Sequence, residues 1–117
     1  MNSSRLGREG EDRAVELLRE SGLSIVERNF RWRSGEVDII AMDGETLVFV
    51  EVKSWSTMGI ENLAYGVDAE KQARIIETAN YFLSLNRQYE HRAIRFDVIF
   101  VAKRAVTHLA SAFMETV

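Results

Sequence analysis

Apolar residues recur at helical spacing near the start of the chain, where Ala14, Val15 and Leu18 follow one another down a single stripe. Ser3 or Ser4 is placed to cap that helix, which runs to residue 21, and Gly22 to stop it. The period then changes. Residues 25–32 alternate unevenly, residues 36–41 and 46–53 are dense in Val, Ile and Phe, and Asp43-Gly44-Glu45 between the last two signals a hairpin. Residues 54–66 read as a loop. Asp68 caps a second helix over residues 69–85, with an apolar stripe of Ile75, Ile76, Ala79, Phe82 and Leu83. Residues 95–102 form a fourth strand and 106–110 a short fifth at a sheet edge. The order αβββαβ predicts an α/β fold: one domain over residues 1–117, its mixed central sheet flanked by helices.

Strand parity carries the chemical information. Successive strand residues face opposite ways, so Glu36 and Asp38 share one face and Val37 and Ile39 the other. Glu51 and Lys53 share a face in the same way. A turn at Asp43-Gly44 sets Glu36 opposite Glu51, with Asp38 diagonal to it. A turn at Gly44-Glu45 sets Asp38 opposite Glu51 and Glu36 opposite Lys53. Either two-residue turn leaves Asp38, Glu51 and Lys53 on one face, within the ~5–8 Å reach of cross-strand neighbours.

Composition narrows the classes. At 117 residues the chain buries roughly two thirds of its unfolded surface, enough for a core without disulfides. With no Cys there is no thiolate zinc site and no cysteine nucleophile. No apolar run approaches the ~20 residues of a membrane span, and the first residues lack a signal-peptide pattern, which predicts a cytoplasmic protein with no membrane partner. The net charge of −3 hides an uneven distribution. Residues 1–34 and 70–117 are slightly basic, whereas residues 35–69 hold seven acids against one base, Lys53. Two carboxylates facing each other in strands this apolar need a compensating charge. Lys53 alone supplies one in a plain sheet ion-pair network. The acid excess is better met by a hard divalent cation, which prefers carboxylate, carbonyl and water oxygens. His91 and His108 both lie outside the acidic segment, so no Ser/His/Asp array is credible.

Glu11 adds a further carboxylate. With Glu11 at 0° on a helical wheel, Ala14, Val15 and Leu18 fall at about −60°, +40° and −20°. Glu11 therefore sits inside the apolar stripe, where a charge is normally avoided. Gly7 and Gly10 lie on the same side and allow a close helix–sheet approach, which would carry Glu11 towards the carboxylate face.

Several segments together resemble a known family. They are Gly7-Arg8-Glu9-Gly10-Glu11-Asp12-Arg13-Ala14, Asn29-Phe30-Arg31, Gly35-Glu36-Val37-Asp38-Ile39-Ile40, Phe49-Val50-Glu51-Val52-Lys53 and Arg95-Phe96-Asp97-Val98. In order and spacing they resemble the bacterial YraN-like family, which is placed in the PD-(D/E)XK nuclease superfamily and is similar to archaeal Holliday junction resolvases. The resemblance implies a restriction-endonuclease-like αβββαβ core with a Mg²⁺ or Mn²⁺ site. By position, Asp38 matches the metal-binding Asp, Glu51 and Lys53 match the E-x-K motif, and Glu11 matches the helix acid of the resolvase-like branch. Two positions depart from the pattern: Trp55 stands where the family often has a base, and the second helix lacks the aromatic of a Q-x-x-x-Y motif.

The expected chemistry is phosphodiester hydrolysis. Asp38, Glu51 and the Val52 carbonyl would hold the cation, with Glu11 joining through water or accepting a proton, and Lys53 would orient the attacking water or stabilise the phosphorane. Glu36 reads as a rim residue. Lys71, Gln72 and Arg74 on the second helix would grip substrate, and Arg31, with Arg5, Arg8, Arg28 and Arg33, would extend a phosphate track. Trp32 and Trp55 either stack unpaired bases or cap the core. The implied partner is structured or branched DNA, and the resolvase likeness implies a homodimer. The alternative is a nucleic-acid-binding module or adaptor that keeps the nuclease fold without hydrolysis.

Overall fold

The computed structural model describes residues 2–54 and 68–114, with the backbone alone at residues 2–7. Helix α1 (Asn2–Glu20) begins ahead of Ser3 and Ser4, so neither serine is its cap. It ends as expected. Gly22 N–H donates to the Arg19 carbonyl (3.0 Å) and Leu23 N–H to that of Leu18 (2.9 Å), the paired bonds of a Schellman stop, with Leu18 and Leu23 buried together.

Strands β1 (Ser24–Trp32), β2 (Gly35–Asp43) and β3 (Thr46–Ser54) form an antiparallel meander. Helix α2 (Ala69–Leu85) carries the chain across to β4 (Ala93–Val101), which runs parallel to β3. A single 3₁₀ turn at Arg87–Tyr89 precedes β4, and β5 (Val106–Phe113) returns antiparallel along the edge. The five strands lie in spatial order β1-β2-β3-β4-β5, a mixed α/β sheet compatible with a restriction-endonuclease-like core. The expected loop at residues 54–66, Trp55 included, lies outside the described residues beyond Ser54.

The sheet is covered on both faces, which explains why its central strands read as nearly continuous apolar runs. On one face Leu47, Phe49, Phe96, Val98 and Phe100 pack against Ile75, Ala79 and Phe82 of α2. On the other, Val48, Val50, Ile99 and Val101 pack against Ala14, Val15 and Leu18 of α1. Asp68 caps α2 as predicted, its side chain accepting from Lys71 N–H at 2.9 Å. Thr78, which no apolar pattern flags, shares the buried face and donates its hydroxyl to the Arg74 carbonyl.

One parity expectation fails. Val37 and Ile39, two residues apart, fall on opposite faces: Val37 joins the α2 side and Ile39 the α1 side. Their β1 partners are Phe30 and Arg28, and between those lies Asn29 with a φ of 56°. Asn tolerates this left-handed conformation better than most residues, and it rolls the ribbon over at that point. Asp38 sits at the crossover itself.

Candidate functional site

The β2–β3 register settles which hairpin forms. Asp43 pairs with Thr46 and Ile39 with Val50, so the connection is Gly44-Glu45, with a φ of 61° at Gly44. The next step of that register sets Asp38 against Glu51. Beyond Ile39 the ladder opens, and Val52 N–H donates to Asp38 Oδ2 at 2.7 Å instead of to a β2 carbonyl. The N–H and C=O of one extended residue point the same way, so the Val52 carbonyl is also directed towards this gap.

Asp38, Glu51 and Lys53 line one cleft of about 430 Å³, walled by the β1–β2 connection at Ser34 and Gly35 and by Lys71 and Arg74 of α2. Burial is the largest influence on Asp38, followed by the charge and hydrogen bond of Glu51. Together they outweigh the Val52 N–H and push the carboxyl up to about 8. Crowding of like charges in a poorly solvated place favours the neutral form of Asp38 in this way. Glu51 is buried, and the Lys71 ammonium forms an ion pair with its Oε2. Burial works against the charged lysine, but Glu51 and Asp38 hold its proton more firmly than usual. The counter-ion of Glu51 within the chain is therefore Lys71, from the first turn of α2, and not the Lys53 of a plain sheet ion-pair network.

Glu11 comes to the α1 side of Asp38. It is buried within the apolar stripe. Its carboxylate accepts from Arg28 Nε at 2.9 Å and Asn29 Nδ2 at 3.0 Å, and Arg28 also holds Asp12 at 2.7 Å. A second hollow on the α1 side, which Asp38 and Val52 also border, contains Glu11. Close helix approach does occur: a Cβ on Gly10 would lie 3.1 Å from Ser54 Oγ. Gly7 falls where the backbone alone is described.

The residues expected to grip substrate divide. Lys71 and Arg74 line the cleft, but each already has an acid, Glu51 and Glu70 respectively. Arg31 lies on the α1-side hollow, its Nε 2.9 Å from Glu36 Oε2. Gln72 is half-buried and its N–H continues the helix ladder to the Asp68 carbonyl.

The sequence reading gave no role to Asp97, which is completely buried in β4. Its carboxylate accepts from Arg95 through both Nε and Nη2, pairs with His108 Nε2 at 2.7 Å, and takes Ser111 N–H at 3.0 Å. Arg95 reaches on to Asp43 at 2.9 Å. Burial alone would raise Asp97, but His108, Arg95 and the Ser111 N–H outweigh it and hold the carboxyl below its usual value. A charged residue in the middle of an apolar strand was the available signal.

The donor set of the cleft is two carboxylates and one carbonyl, all hard oxygens. That is the kind of set a Mg²⁺ ion accepts while keeping several waters. Among the described residues no three carboxylates or imidazoles gather closely enough to form a metal cage.

Comparison with known proteins identifies a family. The model of uncharacterised protein family UPF0102 matches residues 10–101. A UPF0102 protein of Persephonella marina is 46% identical over 107 residues, covering 92% of this chain and 91% of that protein. One of Alcanivorax borkumensis is 46% identical over 93 residues, covering 80% and 74%, and one of Treponema denticola 40% identical over 122 residues, covering 92% and 94%. The motifs from Gly10 to Val98 thus fall within the matched span, and the chain belongs to family UPF0102, the YraN-like family that its motifs resemble.

Proposed function

We propose that the chain is a metal-dependent nuclease that hydrolyses phosphodiester bonds in structured or branched DNA, within the PD-(D/E)XK superfamily. The observation that carries this reading is the meeting of Asp38 and Glu51 in an open cleft beside Lys53. Asp38, Glu51 and the Val52 carbonyl would hold Mg²⁺ or Mn²⁺, which when bound polarises a phosphoryl oxygen and acidifies bound water. Lys53 faces the same cleft and is placed to orient the attacking water or to stabilise charge on the phosphorane. Lys71 and Arg74 are placed to meet the flanking phosphates, once released from Glu51 and Glu70. Glu11, held by Arg28 and Asn29 in the hollow that Asp38 and Val52 also border, would join the ion through water or accept a proton.

A non-catalytic nucleic-acid-binding module is favoured by a separate observation. Lys71 already neutralises Glu51, so the cleft is charge-balanced without an ion. Calorimetric titration with Mn²⁺, followed by addition of branched and linear DNA, separates the two readings. Saturable Mn²⁺ binding with cleavage of branched DNA, both lost in Glu51→Ala, is the expected result. DNA binding with no cleavage in any divalent ion would leave the module.

A further inference from the structure

The cations assigned to substrate from the sequence are largely engaged inside the chain, but one exposed guanidinium beside the cleft is held differently. Arg33 lies in the two-residue connection between β1 and β2, flanked by the Trp32–Gly35 pair. Its Cζ sits 4.5 Å from the centroid of the Trp32 ring. Tyr81 of α2 stacks on the same indole, with 4.5 Å between centroids and 11° between planes. Two groups cannot occupy one face at that separation, so Arg33 and Tyr81 cover opposite faces. Trp32 therefore offers no open face to a base, and the outermost plane of the stack is the exposed Arg33 guanidinium.

This plane is firmly mounted. Tyr81 packs on Phe30, which meets the buried Phe82 edge-on. Arg33 itself adopts a φ of 57°, a left-handed conformation unusual for a residue with a long side chain, at the turn that carries it over Trp32. The connection is pressed onto α2 at Gly35, where an added Cβ would lie 2.1 Å from Thr78 Oγ1 and 2.9 Å from the Arg74 carbonyl oxygen. Ser34 and Gly35, the next two residues, line the cleft that holds Asp38 and Glu51. Among the described residues Arg33 forms no ion pair, unlike Arg28, Arg31, Arg74 and Arg95.

We propose that Arg33 is a base-stacking platform, its guanidinium receiving an unpaired nucleobase of a strand whose phosphate lies in the cleft. The proposal rests on the nucleic-acid reading above and names its substrate more closely: DNA with at least one unstacked base beside the site. A planar, delocalised cation stacks on the face of a base, and bases inside a duplex have no free face to offer. Because the plane is already held by Trp32, little freedom is lost on binding.

The test compares a duplex with a splayed end carrying 2-aminopurine and the same sequence fully paired, without added divalent ion. Wild-type chain binds the splayed DNA and changes the emission of the probe through stacking. Arg33→Lys keeps the charge and loses the plane. It is expected to bind splayed DNA roughly tenfold more weakly, with the emission change lost and its affinity for paired duplex and its melting temperature unaltered. Wild-type affinity and emission in Arg33→Lys would overturn the platform and leave the nucleic-acid reading standing. An equal loss on both DNAs would make Arg33 a phosphate contact and overturn it too. A wild-type chain that binds neither DNA removes the reading and the proposal together.

Discussion

Asp38 and Asp97 are both withdrawn from water, yet burial has opposite outcomes for them because their neighbours differ. Asp97 faces Arg95, His108 and a backbone N–H, so its charge is satisfied. Asp38 faces Glu51, and burial with that charge outweighs the Val52 N–H, so its carboxyl is pushed up. The folded value near 8 stands above the unfolded value of 3.8, and the folded chain therefore holds a proton that the unfolded chain has lost between those limits. The contribution of Asp38 to stability is full below pH 3.8 and is lost as pH rises towards 8. Asp38→Asn keeps an acceptor for Val52 N–H and removes that loss. In the absence of divalent ions it should be more stable than wild type at pH 7.5 and gain little at pH 4, the gap widening by at most about 1.4 kcal/mol per pH unit. Denaturant melts across that range check it, and a constant gap would refute the raised value of Asp38.

Two elements are fixed by contacts that no local pattern reveals. The β1–β2 connection lies against α2 at Gly35, so Gly35→Ala must move Thr78 or the Arg74 carbonyl. A cost of about 1–3 kcal/mol is expected, as for an overpacked core, and Gly35→Ala combined with Thr78→Ala should recover part of it in urea melts. Strand β5 is pinned by Asp97, since its register slips between Phe96 and Val98 where Ser111, at a φ of 53°, turns its N–H to the carboxylate. Asp97→Ala leaves Arg95 half-buried beside an empty position, and should cost about 3–5 kcal/mol. Its stabilisation in the wild type is present above pH 3.8 and lost as pH falls through the lowered folded value, the reverse of Asp38. Hydrogen exchange should show β5 opening first in the variant.

At the level of the whole molecule, two helices cover opposite faces of one sheet, and the cleft forms where β2 and β3 part under the first turn of α2. An ion bound there would act on global stability by mass action, raising it by about 2.7 kcal/mol at a hundred times its dissociation constant. Mn²⁺ should therefore raise the melting temperature at pH 7.5, release a proton from Asp38, and do neither in Glu51→Ala. Melting curves with and without Mn²⁺, with proton release followed in weak buffer, measure both. No helix among the described residues is long and apolar enough to cross a membrane.

Much of this arrangement was legible in the chain because it depends on neighbours in sequence. The Gly22 stop, the Asp68 cap, the hairpin at Gly44 and the shared face of Glu51 and Lys53 follow from periods of 3.6 and 2 and from turn chemistry. Parity carried Asp38 to the right neighbourhood although the ribbon rolls over at Asn29, because the crossover falls on Asp38 itself and turns Val37 rather than the acid away. What the sequence could not decide was the partner of each charge. Lys71 meets Glu51, Arg28 meets Glu11 and Tyr81 meets Trp32 only because each helix lands on a given face of the sheet at a given height. That placement is set by the packing of Phe82, Ala79 and Leu18 against distant strands, and Coulomb and stacking energies follow distance in space, whereas hydrophobic period reports only the order of residues along the chain.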